Sequence, residues 1–96
     1  MVYWRDPTAA LGASTALVND LDLVVNDPAS NTLLPWVLDA TPNPDALNSP
    51  ATTGEDHLNN MEQVLINNPT AGEYTLDISG FNVPVGPQEY LSLIHI

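Results

Sequence analysis

The run Leu17-Val18-Asn19-Asp20-Leu21-Asp22-Leu23-Val24-Val25 constrains this chain more than any other stretch. Apolar side chains at 17, 21, 23 and 25 alternate with Asn19, Asp22 and Val24, with one disturbance at Val18 to Asp20. A period of two sends successive side chains to opposite faces of a strand, so one face is buried and the other wet. The disturbance sets Asn19, Asp20 and Asp22, three oxygen-bearing side chains, within four residues of a core strand. Tyr74 to Ser79 repeats the alternation more cleanly, with Tyr74, Leu76 and Ile78 on one face and Thr75, Asp77 and Ser79 on the other. No segment of helical length shows a 3.6-residue period. These features predict an all-β fold, a jelly-roll-like antiparallel β-sandwich with Pro- and Gly-rich turns.

The remaining chain fits around those two strands. Val2 to Trp4 reads as a short strand halted at Asp6-Pro7, and Thr8 to Ala16 as a loop. Asn26 to Asn31 is a turn by composition. Thr32 to Leu38 is apolar, but Pro35 demotes it to an edge strand. Asp39 to Gly54, with Pro42, Pro44 and Pro50, reads as a long loop. Glu62 to Ile66 reads as a strand, Asn67 to Gly72 as a turn, Phe81 to Gly86 as a corner and Glu89 to Ile96 as a last strand. Five or six strands are few for a closed sandwich, so a domain truncated at both ends is expected. Trp4, Trp36, Tyr74 and Phe81 are expected in the core.

Charge excludes several functions. One basic residue, Arg5, stands against twelve acidic ones, for a net charge of -11. Nucleic acid is excluded, because phosphate binding requires Lys or Arg to displace counterions. An anionic membrane surface is disfavoured for the same reason, and no apolar run approaches the ~20 residues of a membrane helix. Acidic groups either keep a surface solvated or gather round a hard cation such as calcium, which takes carboxylate and carbonyl oxygens. There is no cysteine, so no disulfide or thiolate chemistry. His57 reads as an exposed loop histidine, since no Gly-x-Ser-x-Gly elbow or zinc spacing accompanies it.

Four motifs stand in order: Leu17 to Leu23, Leu58-Asn59-Asn60-Met61-Glu62-Gln63-Val64, Ala71-Gly72-Glu73-Tyr74-Thr75-Leu76, and Asn82-Val83-Pro84-Val85-Gly86-Pro87-Gln88-Glu89-Tyr90. Tyr3-Trp4-Arg5-Asp6-Pro7 precedes them. The series resembles the C-terminal β-sandwich (jelly-roll) domain that follows the catalytic domain in secreted bacterial subtilisin-like serine proteases. The resemblance implies a secreted, extracellular, non-catalytic domain that packs on and stabilises the subtilase catalytic domain of the same polypeptide. It also implies calcium, with Asp22, Asp39 and Asp56 as ligands and Asn60 and Glu62 as helpers, pinning the loop 39–60. The family's nucleophile motif, Gly-Thr-Ser-Met-Ala, is absent, so the endopeptidase triad is expected elsewhere in the parent and no catalytic residue in this chain. A second reading is a free-standing carbohydrate- or cell-surface-binding module, which needs two or more aromatics exposed on one flat face.

The domain is expected to span residues 1–90. Residues 91–96, Leu91-Ser92-Leu93-Ile94-His95-Ile96, are what CTG-TCT-CTT-ATA-CAC-ATC encodes, a transposon end used in preparing sequencing libraries. They are expected to form a last strand but to be read-through, so no function is assigned to His95.

Overall fold

The computed structural model describes residues 1–95. Its first half is built on the strand anticipated above. Strand β1 is Val2–Tyr3, β2 is Asp20–Asn26, β3 is Thr32–Leu33 and β4 is Trp36–Val37. A single helical turn, α1, spans Pro44–Leu47. Strands β5 (Thr52–Thr53), β6 (Met61–Glu62), β7 (Thr75–Asn82) and β8 (Leu91–Ser92) complete the chain. The order β6-β1-β8 makes one sheet, β3-β2-β7 a second, and β4-β5 a two-stranded ladder; every pairing is antiparallel. The fold is all-β, as the alternation required.

The two larger sheets meet over a small core. Leu21, Leu23 and Val25 project from β2 and pack with Val2 and Trp4 of the β1 segment, all five being buried. Leu17, Leu33, Val64, Ile66, Tyr74, Ile78 and Val83 lean on them from the rim. Burying one such aliphatic side chain contributes about 1.5–3 kcal/mol, so five make a modest apolar core.

Polar groups therefore carry part of the architecture. Asp6 accepts from the Val18 and Asn19 N–H groups, each at 2.7 Å, and fixes the chain as it enters β2. Asn19 is fully buried and joins three segments. Its carbonyl accepts from the Trp4 indole at 3.0 Å, its amide donates to the Val85 carbonyl at 2.6 Å and to Gln88 at 2.8 Å, and its side-chain oxygen accepts from the Val85 N–H at 3.1 Å. That network explains the break in alternation at Val18 to Asp20. The chain spends those positions on polar links to β1 and the 85–88 segment.

Several expectations need correction. The loop 39–54 contains α1, with Asn43 accepting from the Ala46 N–H and Pro44 at the first helical position, and also β5. A helix of one turn needs only a cap and a proline, and leaves no periodicity to read. The strand expected over 62–66 is confined to Met61–Glu62. β7 runs three residues past Ser79, through Gly80 to Asn82, where a corner was expected. The final strand is confined to Leu91–Ser92, with the Leu93 N–H still donating to the Met1 carbonyl; Ile96 lies outside the described residues. Trp36 and Phe81 are exposed rather than core, whereas Trp4 is buried as expected.

Asn19→Ala removes the side chain that ties the entry of β2 to Val85 and Gln88 and takes away the partner of the Val85 backbone groups. Unfolding in urea is expected to show a loss of about 2 kcal/mol with an unchanged m-value.

Candidate cation site

The geometry of β2 and β7 gathers the acids. Asp20 and Asp22 are two residues apart and share the face opposite Leu21 and Leu23. On β7, Gly80 pairs with Leu21 and Asn82 with Asp20, so Phe81 is an extra residue in that strand. Such a bulge re-aims the side chain beside it. Here the Phe81 ring stacks on the imidazole of His57, centroid to centroid 4.2 Å. His57 reaches this position from the turn after β5. Asp56 makes that turn, its Oδ1 accepting from the Leu58 and Asn59 N–H groups and its Oδ2 from the Asn59 side chain.

His57 is a partly exposed loop residue, its side chain 35% accessible, but it stands among carboxylates that the sequence did not point to. Its Nδ1 is 2.7 Å from Asp20 Oδ2 and 3.7 Å from Asp22 Oδ1, and its Nε2 is 3.3 Å from Glu55 Oε2. One ligand atom from each of Asp20, Asp22 and His57 lies within 4.8 Å of the other two.

Glu62 approaches Asp22 from the other sheet. It pairs with Val2 on β6 and is 2% exposed. Because β3 covers only Val25 and Asn26 of β2, the edge upstream has no strand beside it. Glu62 Oε2 fills that gap, accepting from the Leu23 N–H at 2.6 Å. A cavity of about 30 Å³ lies between Asp22, Glu62 and Glu55, closed by Leu34 and Pro35. That is room for one ion or one water. Three buried oxygens, Asp20 Oδ1, Asp22 Oδ1 and Glu62 Oε1, have no hydrogen-bond partner among the described residues.

Electrostatics register the crowding. Burial pushes the Glu62 carboxyl up to about 7 against the help of the Leu23 N–H, and Asp22, Asp56 and Asp20 add to the rise. Asp20 and Asp22 are also raised, first by burial. Burial pulls His57 down, but hydrogen bonds to Asp20 and Glu55 outweigh it and the net shift is upward.

Of the residues expected as calcium ligands, Asp22 and Glu62 are brought together. Asp56 is buried nearby and holds the turn. Asn60 ties the loop to β1, its amide donating to the Trp4 carbonyl at 2.8 Å. Asp39 is exposed and accepts from the Thr41 N–H, with its carboxyl held below the usual range by Thr41. Asp20, His57 and Glu55 were not anticipated. Asp20 was legible as the same-face neighbour of Asp22, but His57 enters only through a bulge and a turn with no sequence signature.

The fold and this site define a small all-β module with a two-sheet core and a half-buried, cation-sized nest of carboxylates. Among known proteins, the chain is 34% identical over 96 residues to the serine protease/ABC transporter B family protein tagB of Dictyostelium discoideum, and 30% identical over 100 residues to tagD of the same organism. Each match covers 98% of this chain but 5% of the relative, so the chain spans about a twentieth of the length of the curated relatives it matches. No family model matches the chain. The chain is therefore homologous to a short region of proteins named for a serine protease.

In a chelator-treated sample the raised carboxylates set the sign of the pH response. A folded-state pKa near 7 for Glu62, above its ordinary 4.5, means the native chain holds that proton more tightly than the unfolded one. The associated stability is present below the unfolded pKa and is lost as pH rises toward the folded value. The raised His57 acts in the same direction, its contribution fading as pH climbs through its folded pKa. The thermal midpoint is expected to fall from about pH 5 to about pH 8, and Glu62→Gln to flatten that fall. A midpoint that rises over this range in the native sequence contradicts the burial of Glu62.

Proposed function

We propose that this chain is a non-catalytic β-sandwich domain of a larger serine protease-related polypeptide, of the jelly-roll kind that follows the catalytic domain in secreted subtilisin-like proteases. In this reading the parent hydrolyses peptide bonds through an Asp-His-Ser triad outside this chain, works in the extracellular space, and uses this domain to stabilise its protease domain. The observation that carries the reading is the near-complete match of the chain to a short region of two proteins named for a serine protease. The surroundings of His57 support a non-catalytic role. Its ring nitrogens face carboxylates, and no hydroxyl is bonded to it among the described residues. A triad base needs a nucleophile at one of those nitrogens. The outer face of the β1 sheet supports packing on a neighbour, since Tyr3 and its cross-strand partner Met61 are both exposed. A continuous apolar strip on the outside of a sheet is the kind of surface a further domain covers.

Deletion of this region from the full polypeptide tests the reading. kcat/KM per active molecule is expected to hold, while thermal inactivation accelerates several-fold. Unchanged inactivation overturns the stabilising role, and loss of all turnover in a folded deletion variant overturns the non-catalytic one.

Calcium belongs to the same proposal. Asp20, Asp22 and Glu62 would hold it, because three buried carboxylate oxygens without partners match the donor type calcium takes. Bound calcium would cancel the mutual repulsion of those acids. At a concentration of about 100 Kd it would stabilise the fold by roughly 2.7 kcal/mol, which raises the midpoint of a domain this size by on the order of 10 °C. Magnesium, which demands tighter octahedral geometry, is expected to do much less. Glu62→Gln is expected to abolish the calcium shift, and a midpoint indifferent to calcium removes the metal from the proposal.

A further inference from the structure

We propose that Asp20, Asp22 and His57 form a binding site for a borderline divalent transition cation, zinc above all, which competes with calcium for the two aspartates. The inference deepens the cation reading above and rests on it only in sharing Asp20 and Asp22. Calcium draws its further protein oxygen from Glu62; zinc draws a nitrogen from His57.

Donor chemistry is the first argument. Imidazole is a poor ligand for calcium and a good one for zinc, so a nitrogen set between two carboxylates changes which ion the site prefers. Distance is the second. Four-coordinate zinc with ligands at 2.0–2.2 Å separates neighbouring donors by about 3.3 Å. His57 Nδ1 stands 2.7 Å from Asp20 Oδ2 and 3.7 Å from Asp22 Oδ1, on either side of that value. Movements of about half an ångström at side-chain ends complete a three-ligand face. A water then takes the fourth position.

The third argument is a need for positive charge that hydrogen bonding leaves unmet. Asp20 is 7% exposed and its Oδ1 has no partner among the described residues. Asp22 Oδ1, 3.7 Å from the imidazole, has none either. A buried carboxylate oxygen without a donor carries a desolvation penalty of about 1–3 kcal/mol or more. Arg5, the sole Lys or Arg of the chain, forms no ion pair with either aspartate, so among the described residues His57 alone brings positive charge to them, and only when protonated.

The fourth argument lies beyond the ligands. A metal-bound histidine generally donates its other ring N–H to a carboxylate, which fixes the tautomer and raises the basicity of the ligating nitrogen. Glu55 Oε2 occupies that position, 3.3 Å from Nε2, and the Phe81 ring stacked on the imidazole holds its plane. Glu55 is exposed and is not part of the apolar core cluster, so it offers a handle on the site that spares the fold.

The test is titration of the 96-residue chain with cobalt(II), a spectroscopic stand-in for zinc, followed by displacement with zinc and by calcium competition. Binding is expected to raise visible cobalt absorption that zinc abolishes and calcium reduces. His57→Gln is expected to weaken cobalt and zinc binding at least tenfold while leaving calcium binding unchanged, and Glu55→Gln to weaken the transition metals by about tenfold. Glu62→Gln is expected to do the reverse, sparing zinc and losing calcium. Zinc binding that is indifferent to His57→Gln overturns the inference, as does a chain that responds to calcium but not to cobalt; in that second case the calcium proposal stands. A chain that binds zinc through His57 and ignores calcium keeps this inference and sinks the other. Binding of neither cation overturns both.

Discussion

The centre of this fold depends on carboxylates that each keep one oxygen out of reach of water. Asp20 and Asp22 are brought to one face by the pitch of β2, and Glu62 is carried in from the opposite sheet because it pairs with Val2. Each of the three keeps one buried oxygen without a partner. At about 1–3 kcal/mol apiece, three such atoms cost a large fraction of the 5–15 kcal/mol by which domains are ordinarily stable. The core offsets this poorly, since among the described residues its buried apolar cluster holds five side chains. A fold with so small an apolar interior retains this cluster only if the acids gain something from being together. Protonation supplies part of that gain at low pH, and the proposed cation would supply it at neutral pH.

Glu62 shows why the arrangement cannot be relaxed by simple substitution. One of its oxygens does the work of a missing strand, capping the Leu23 N–H where β3 is too short to reach. The other is left without a partner, and Glu62 and Asp22 both line a cavity large enough for one ion. A shorter side chain would give up the backbone bond, and an apolar one would leave the Leu23 N–H buried and unpaired. The residue thereby joins the two sheets and creates the electrostatic problem in one stroke. Asn19 and Asp6 form the neutral and charged counterparts at the other end of β2, where all their oxygens are satisfied.

Local periodicity carried the sheet-forming strands into view, and little else. The alternation at 21, 23 and 25 names the buried face of β2, and Asp27 with Pro28 names the turn that follows, where Asp27 accepts from Ala29 and Asn31. Two-residue strands such as β4 and β5 have no period to read, since their existence rests on a ladder between distant segments. The extension of β7 through Gly80 and Phe81 was hidden because glycine and a following proline-rich stretch imitate a corner. Half of the cation site shared that fate. Asp22 and Glu62 lie on elements the pattern reveals, whereas His57 arrives through a bulge on β7 and an Asp56 turn, two non-local events.

The same ladder explains why Asp39 stands apart from the other acids. β4 and β5 pair Trp36 with Thr53 and Val37 with Thr52, and the Gly54 N–H continues the register by donating to the Pro35 carbonyl. Asp39 follows β4 on the side of the ladder that opens into α1, and Glu55, Asp56 and His57 follow β5 on the side that faces β2. An antiparallel ladder sends the residues beyond its two ends in opposite directions, at about 3.4 Å per residue. The base of the loop 39–54 is thus held by backbone hydrogen bonds. What a bound cation would order is the shorter turn from Glu55 to Asn60, the segment that carries His57 against β2 and ties Asn60 to β1. In that arrangement the ion would act across the two sheets, through a loop that touches both.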